Sequence, residues 1–274
     1  MRGTASLFRL ALVATLAAWL APACSLGAGT GTCTGTLDVP DCWAGPFDLH
    51  PDFFAAVPSS GGALQIRIQN GGDYETFSDG MVILIDDGGQ VRGDPANDGS
   101  PRPSLLGQSL VVALPPSVVP PGVPVKPVPD PRIVHASLYL ERTCRTQNDA
   151  LYAMDAVSVN ADGSCDRPPG GDPPLACPGP ATSGDGGAEA GPGDGGAAPG
   201  AVATSTITFN SLFDGNPAES DAKQRLTDAT FDFYLADPRE ICPGGLGPPP
   251  RCRGHLTGSF HFYFERGKPA QPFP

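Results

Sequence analysis

Alternation of apolar and polar residues, the mark of a strand with one buried face, is cleanest towards the C-terminus. Thr227, Ala229, Phe231, Phe233 and Leu235 fall on one face of a segment whose other face carries Asp228, Asp232 and Tyr234. In a second segment Leu256, Gly258, Phe260, Phe262 and Phe264 oppose His255, Thr257, Ser259, His261 and Glu265. These two segments predict an antiparallel hairpin around a Pro/Gly-rich loop. Upstream, residues 64–69 alternate strictly, and residues 81–85 form the continuous apolar run of a central strand. Residues 105–114, 133–140, 151–159 and 206–209 are further strand candidates, and the one short helical turn expected lies near Pro217 to Gln224. About eight short strands and almost no amphipathic helix predict an all-β fold, an antiparallel β-sandwich of jelly-roll-like topology.

Composition divides this chain into distinct materials. Gly and Pro number 36 and 33 of 274 residues, an excess that excludes a helical bundle, while 40% hydrophobic content excludes disorder throughout. Residues 166–200 contain 19 Pro or Gly and a single large aliphatic, Leu175, so they are expected to be a disordered insertion. Eight prolines in residues 115–131 exclude a central strand there and predict an extended polyproline connection. Ten of the 20 aromatic residues lie in residues 201–274. Three strands there could not cover their own Phe face. Residues 37–165 and 201–274 are therefore expected to form a single discontinuous domain.

The N-terminus carries the clearest targeting signal. Arg2 and Arg9 precede an apolar run from Leu10 to Ala21, which is too short to span a bilayer comfortably. Ala21-Pro22-Ala23 then supplies small residues before Cys24, the architecture of a signal peptide over residues 1–23. Two cleavages fit: an ordinary signal-peptidase site, or a bacterial lipobox in which Cys24 is lipidated and becomes the mature N-terminus. The lipobox is the preferred reading, with Leu20 one place from the usual position. Residues 24–36 would then be a lipidated Cys and flexible tether.

Eight cysteines without a CxxC or zinc-finger spacing point to disulfides in an oxidising compartment. Proximity in sequence pairs Cys33 with Cys42, Cys144 with Cys165 and Cys242 with Cys252. Cys177 is then free, or takes Cys165, or takes an unlipidated Cys24.

Charge narrows the partners. Lys and Arg number 17 against 29 Asp and Glu, and loss of Arg2 and Arg9 takes the formal charge from −12 to −14. Nucleic acid is excluded as a partner, because phosphate binding needs clustered cations. The chain has no G-x-S-x-G elbow, H-E-x-x-H pair, Walker loop or Rossmann fingerprint. Asp86 and Asp87 at a strand end, with Asp94 and Asp98 nearby, are candidate oxygen ligands for Ca²⁺, although Asp, Asn and Gly are equally what turns are made of. His255 and His261 share one strand face but stand six residues apart, roughly 20 Å, and cannot chelate one ion together. Asp228, Asp232, Asp237 and Glu240 are the carboxylates from which a glycosidase pair would be drawn, and Trp43 or Tyr234 could serve as a sugar platform.

The signal segment, the Cys24 site, the Gly-rich stretch after it and a compact β domain together resemble lipoproteins of high-GC Gram-negative bacteria of the myxobacterial type. The resemblance rests on about 25 N-terminal residues. It implies export and a lipid anchor, with Ser25 after the Cys implying the outer membrane. The expected function is that of a non-enzymatic envelope lipoprotein, a binding or structural module with a protein or glycan partner. The alternative is an exported carbohydrate-active hydrolase or a Ca²⁺-dependent glycan-binding module.

Overall fold

The computed structural model describes residues 29–39, 41–71, 78–113, 133–145, 151–160, 202–216, 218–241 and 249–265. The chain is all-β, as the alternation predicts. Its strands are β1 (Gly29–Val39), β2 (Trp43–Leu49), β3 (Phe53–Pro58), β4 (Leu64–Gln69), β5 (Gly80–Ile85), β6 (Ser109–Ala113), β7 (Val134–Arg145), β8 (Leu151–Ala156), β9 (Val159–Asn160), β10 (Val202–Ala203), β11 (Thr206–Ser211), β12 (Leu226–Ala236) and β13 (Gly254–Tyr263). One short helix, α1 (Gly88–Arg92), is capped by the Asp87 side chain accepting from the Gln90 N–H. Lys223–Arg225, at the end of the stretch expected to hold a helical turn, form a 3-10 turn.

Eleven strands make one sheet in the order β2-β1-β13-β12-β11-β6-β7-β5-β4-β3, with β8 bridging β12 and β7. All these pairs are antiparallel except β6 with β7. The sheet forks between β12 and β7. At one end β11 and β6 fill the gap, and at the other β8 alone pairs with both flanking strands. The sheet bends double, so that its two arms pack face to face. Phe54 of β3 stacks on Phe262 of β13 with centroids 5.7 Å apart, and Cys33 of β1 meets Met81 of β5. One core cluster spans Ile66, Ile83 and Leu138 on one arm and Phe231, Phe233 and Phe260 on the other. Strands from residues 29–156 and 206–263 thus share one sheet and one core, while β9 and β10 pair in a small second sheet. Each large apolar side chain buried there contributes about 1.5–3 kcal/mol.

The two strands at the ends of the sheet, β2 and β3, are consecutive in the chain and joined through His50, Pro51 and Asp52. Pro46 lies in β2 and Pro58 in β3, where a missing N–H costs no ladder bond on the open side.

Residues 29–36 are not a tether. They form most of β1, paired with β13 on one side and β2 on the other. Alternation is present, but it is Gly against Thr rather than apolar against polar, so hydrophobic periodicity misses it. The glycines are needed sterically: a Cβ on Gly29 or Gly31 would sit 2.5 or 2.9 Å from the Phe54 ring. Aromatic bulk on β3 replaces the side chains that β1 lacks.

Two of the expected local disulfide pairings, Cys33 with Cys42 and Cys144 with Cys165, are also corrected. Cys42 bonds to Cys144, 102 residues away, with Cα atoms 5.6 Å apart. Cys33 is a free, buried thiol. Cys33 shares its inward face with Leu37 and Val39, whereas Cys42 sits past the strand end beside the end of β7. Burial, then the nearby Asp48 carboxylate, push the Cys33 thiol up to about 12. Cys252 is disulfide-bonded, but Cys24, Cys165, Cys177 and Cys242 lie outside the described residues. So do the signal segment, the proline-rich residues 115–131 and the insertion at residues 166–200.

Candidate functional site: an open hydroxyl-rich sheet face

The arm made by β2, β1, β13, β12 and β11 presents an outer face rich in short polar side chains. On β1, four successive outward positions are exposed threonines: Thr30, Thr32, Thr34 and Thr36. Register carries the rows across the strands. Thr32 pairs with Ser259, Ser259 with Thr230 and Thr230 with Thr208. Thr34 pairs with Thr257, Thr257 with Asp232 and Asp232 with Thr206. Asp48 of β2 lies beside Thr34. No Lys or Arg occupies an outward position on this arm.

Two carboxylate–imidazole pairs are set into the rows. His261 Nδ1 lies 2.9 Å from Asp228 Oδ2, and His255 Nε2 lies 2.6 Å from Asp232 Oδ1. Each pair is cross-strand, because β12 and β13 place the four residues on one face. Asn210 also donates to Asp228 at 2.9 Å. Partial burial would raise the Asp228 carboxyl, but the hydrogen bonds from His261 and Asn210 hold it below the ordinary carboxylate range. Tyr234 stacks on His255 with centroids 4.2 Å apart and planes within 2°. A shallow hollow of about 220 Å³ opens at the first pair, bounded by Thr30, Thr32, Asp228, Ser259 and His261.

The opposite arm's outer face is different. His135, Ser137 and Tyr139 of β7 lie beside Asp155 of β8, and Arg67 of β4 lies beyond Val82. Asp155 is only 5% exposed and accepts from the Ser137 hydroxyl at 2.6 Å. Burial pushes its carboxyl above the ordinary range, against the Ser137 hydrogen bond and the field of His135, while the Asp237 carboxylate adds to the rise. His135 reaches Asp86 at 3.2 Å and the Ala113 carbonyl at 3.2 Å.

The remaining candidate residues are dispersed. Asp86 engages His135, and Asp87 caps α1 and accepts from Arg102 at 2.6 Å. Asp94 accepts from Arg92 at 2.5 Å, and Asp98 closes a turn by accepting from the Ser100 N–H. The four Ca²⁺ candidates therefore each serve a local contact. Among the described residues no group of three or more His, Cys, Asp or Glu is placed to hold a metal ion.

The glycosidase candidates are likewise separated or committed. Asp228 and Asp232 stand four residues apart on one strand, about 13 Å by strand rise, beyond the roughly 6.5–9.5 Å of an inverting pair. Asp237 is gripped by Arg239 and by the Tyr152 hydroxyl at 2.8 Å. Burial alone would raise its carboxyl, yet those hydrogen bonds hold it below the ordinary range, the reverse of what a general acid needs. Glu240 is held by Arg253. A larger cleft of about 640 Å³, near Gln90, Arg102, Leu105, Gln108, Val111 and Ile133, has no carboxylate among its described lining residues.

Sequence alternation identified the outward His, Asp and Tyr residues of β12 and β13 but missed the threonine row of β1. The Thr-x-Thr-x-Thr-x-Thr spacing was the signal available for it. No protein-family model, curated protein or solved structure matches this chain.

Proposed function

We infer that this protein is an exported, non-enzymatic binding module of the cell envelope, held to a membrane through a lipidated Cys24, and that its open sheet face takes a polyhydroxylated glycan. The observation that carries the reading is the run of exposed Thr30, Thr32, Thr34 and Thr36, continued by Thr257 and Thr230. A face that only has to stay solvated is commonly filled with long charged side chains. Such side chains cost up to about 2 kcal/mol each in rotamer freedom when a partner orders them. Threonine is stiff at χ1 and offers both a donor and acceptors, so a row of them is pre-organised for a partner of many hydroxyls. The Asp228 and Asp232 carboxylates add strong acceptors for sugar hydroxyls, and the half-buried Tyr234 ring borders them.

Co-sedimentation of the mature protein with insoluble cellulose, chitin and peptidoglycan tests this. The expected result is retention on at least one of them. Thr34→Lys and Thr257→Lys should abolish retention while leaving the melting temperature unchanged. Absence of retention on all three, or retention indifferent to both substitutions, overturns the reading.

A further inference from the structure

Where β1 begins fixes how an anchored domain must stand. This step rests on lipidation at Cys24, as proposed above. Only five residue steps separate Cys24 from Gly29, the first residue of β1, so the covalent reach between lipid and sheet is at most about 18 Å. Gly29 pairs with Phe262 near the end of β13, and Leu226 at the start of β12 pairs with Tyr263. Gly29, Leu226 and Tyr263 therefore mark one pole of the molecule. From there β1 runs ten residue steps, about 33 Å at strand rise, to Val39. The turn holding Cys42 and Trp43 marks the opposite pole, where Val39 pairs with Trp43.

We propose that the Gly29 pole faces the membrane and that the pole bearing Trp43 and the Cys42–Cys144 bond points away from it. Reach limits the Gly29 pole to within about 18 Å of the lipid, whereas the far pole can stand a further strand length of about 33 Å away. Charge forbids the domain from lying on its open face. Asp48, Asp228 and Asp232 lie there with no outward Lys or Arg, so anionic headgroups repel that side. The near pole itself is mixed, with Lys223 and Arg225 beside Asp214, Glu219 and Asp221. It presents Tyr263, 38% exposed, an amphipathic ring suited to the headgroup layer. The threonine rows then rise from the bilayer as an upright wall.

The chain carries its own reporter. Its two tryptophans are Trp19, inside the leader, and Trp43, so the lipidated mature protein has one, at the far pole and 39% exposed. Energy transfer from tryptophan to dansyl-headgroup lipid would be measured on the full lipidated protein in phosphatidylethanolamine–phosphatidylglycerol vesicles. Native Trp43 is expected to transfer weakly. In the double variant Trp43→Phe, Tyr263→Trp, transfer should rise at least threefold. Inserting twenty Gly-Ser residues after Ala28 should erase the difference. Equal transfer from both positions, or stronger transfer from native Trp43 alone, overturns the orientation while leaving the anchor intact. Failure of the wild-type protein to float with the vesicles overturns the anchor and the orientation together, while the glycan-binding reading is judged separately by sedimentation.

Discussion

The two arms of the bent sheet share one core and differ in what they do with polar residues on their outer faces. The β2-β1-β13-β12-β11 arm shows water a field of short hydroxyls. The β3-β4-β5-β7-β8 arm hides Arg67, His135 and Asp155, each under 10% exposed, and satisfies them with specific partners. Arg67 lies over the Phe53 ring at 5.8 Å, and its guanidinium, destabilised first by burial, is steadied by the Glu141 charge. Buried polar groups must be paired or they cost stability, so the second face is committed to the fold. The first carries no such buried demand, and its run of exposed threonines is what the proposed glycan binding would account for.

The contrast can be broken from several sides. The largest loss is expected from removing the Cys42–Cys144 bond, which ties the β1–β2 turn of the open arm to β7 of the covered arm. Cys42→Ser with Cys144→Ser should cost about 4–5 kcal/mol in urea unfolding, the chain-entropy value for a loop of that size; a loss below 1 kcal/mol would show that the arms are held without it. Phe260→Ala, a fully buried ring beneath the open face, should cost about 3–5 kcal/mol by the same measurement, and a small loss there would mean that the arms share no packed core. On the covered face, Arg67→Ala should cost about 2 kcal/mol.

The pH response of that covered face follows from Asp155. Its folded carboxyl titrates above the ordinary range, so the folded state binds the proton more tightly than the unfolded one. The Asp155 contribution to stability therefore falls as pH rises above the ordinary carboxylate value. Asp155→Asn should be progressively more stable than wild type as pH climbs from about 4 to 7, read as the difference in melting temperature; a difference constant with pH would contradict the assignment. Asp237, with its lowered carboxyl, behaves oppositely, its contribution being lost as pH falls below that value. The smallest effect belongs to the open face, where Thr34→Lys should change stability by no more than about 0.5 kcal/mol. A destabilisation above 1 kcal/mol would mean that the threonine row is structural after all.

What the sequence made legible tracks where hydrophobic periodicity reports burial. Strands β4, β5, β12 and β13 were readable because Ile66, Met81, Phe233 and Leu256 alternate or cluster against the core. Strand β1 was not, since its partner Phe54 fills the space that side chains would have filled. The Cys42–Cys144 bond lay beyond reach because sequence distance says nothing about where a bent sheet brings strand ends together. Asp155 drew no notice because its polarity alternates with Met154 and Ala156 in a stretch read simply as a strand. On the open face, Asp228 and His261 were visible as outward residues, but their pairing depends on the β12–β13 register.

The position of β1 between β13 and β2 has a mechanical consequence. Tension on a Cys24 anchor would pull along the axis of β1 from its Gly29 end. Nine residue pairs to β13 and seven to β2 then resist in shear, all loaded together, rather than opening one after another like a zipper. A pull along that axis would thus meet β1 as a clamp loaded in shear, not as a strand peeled from the sheet edge.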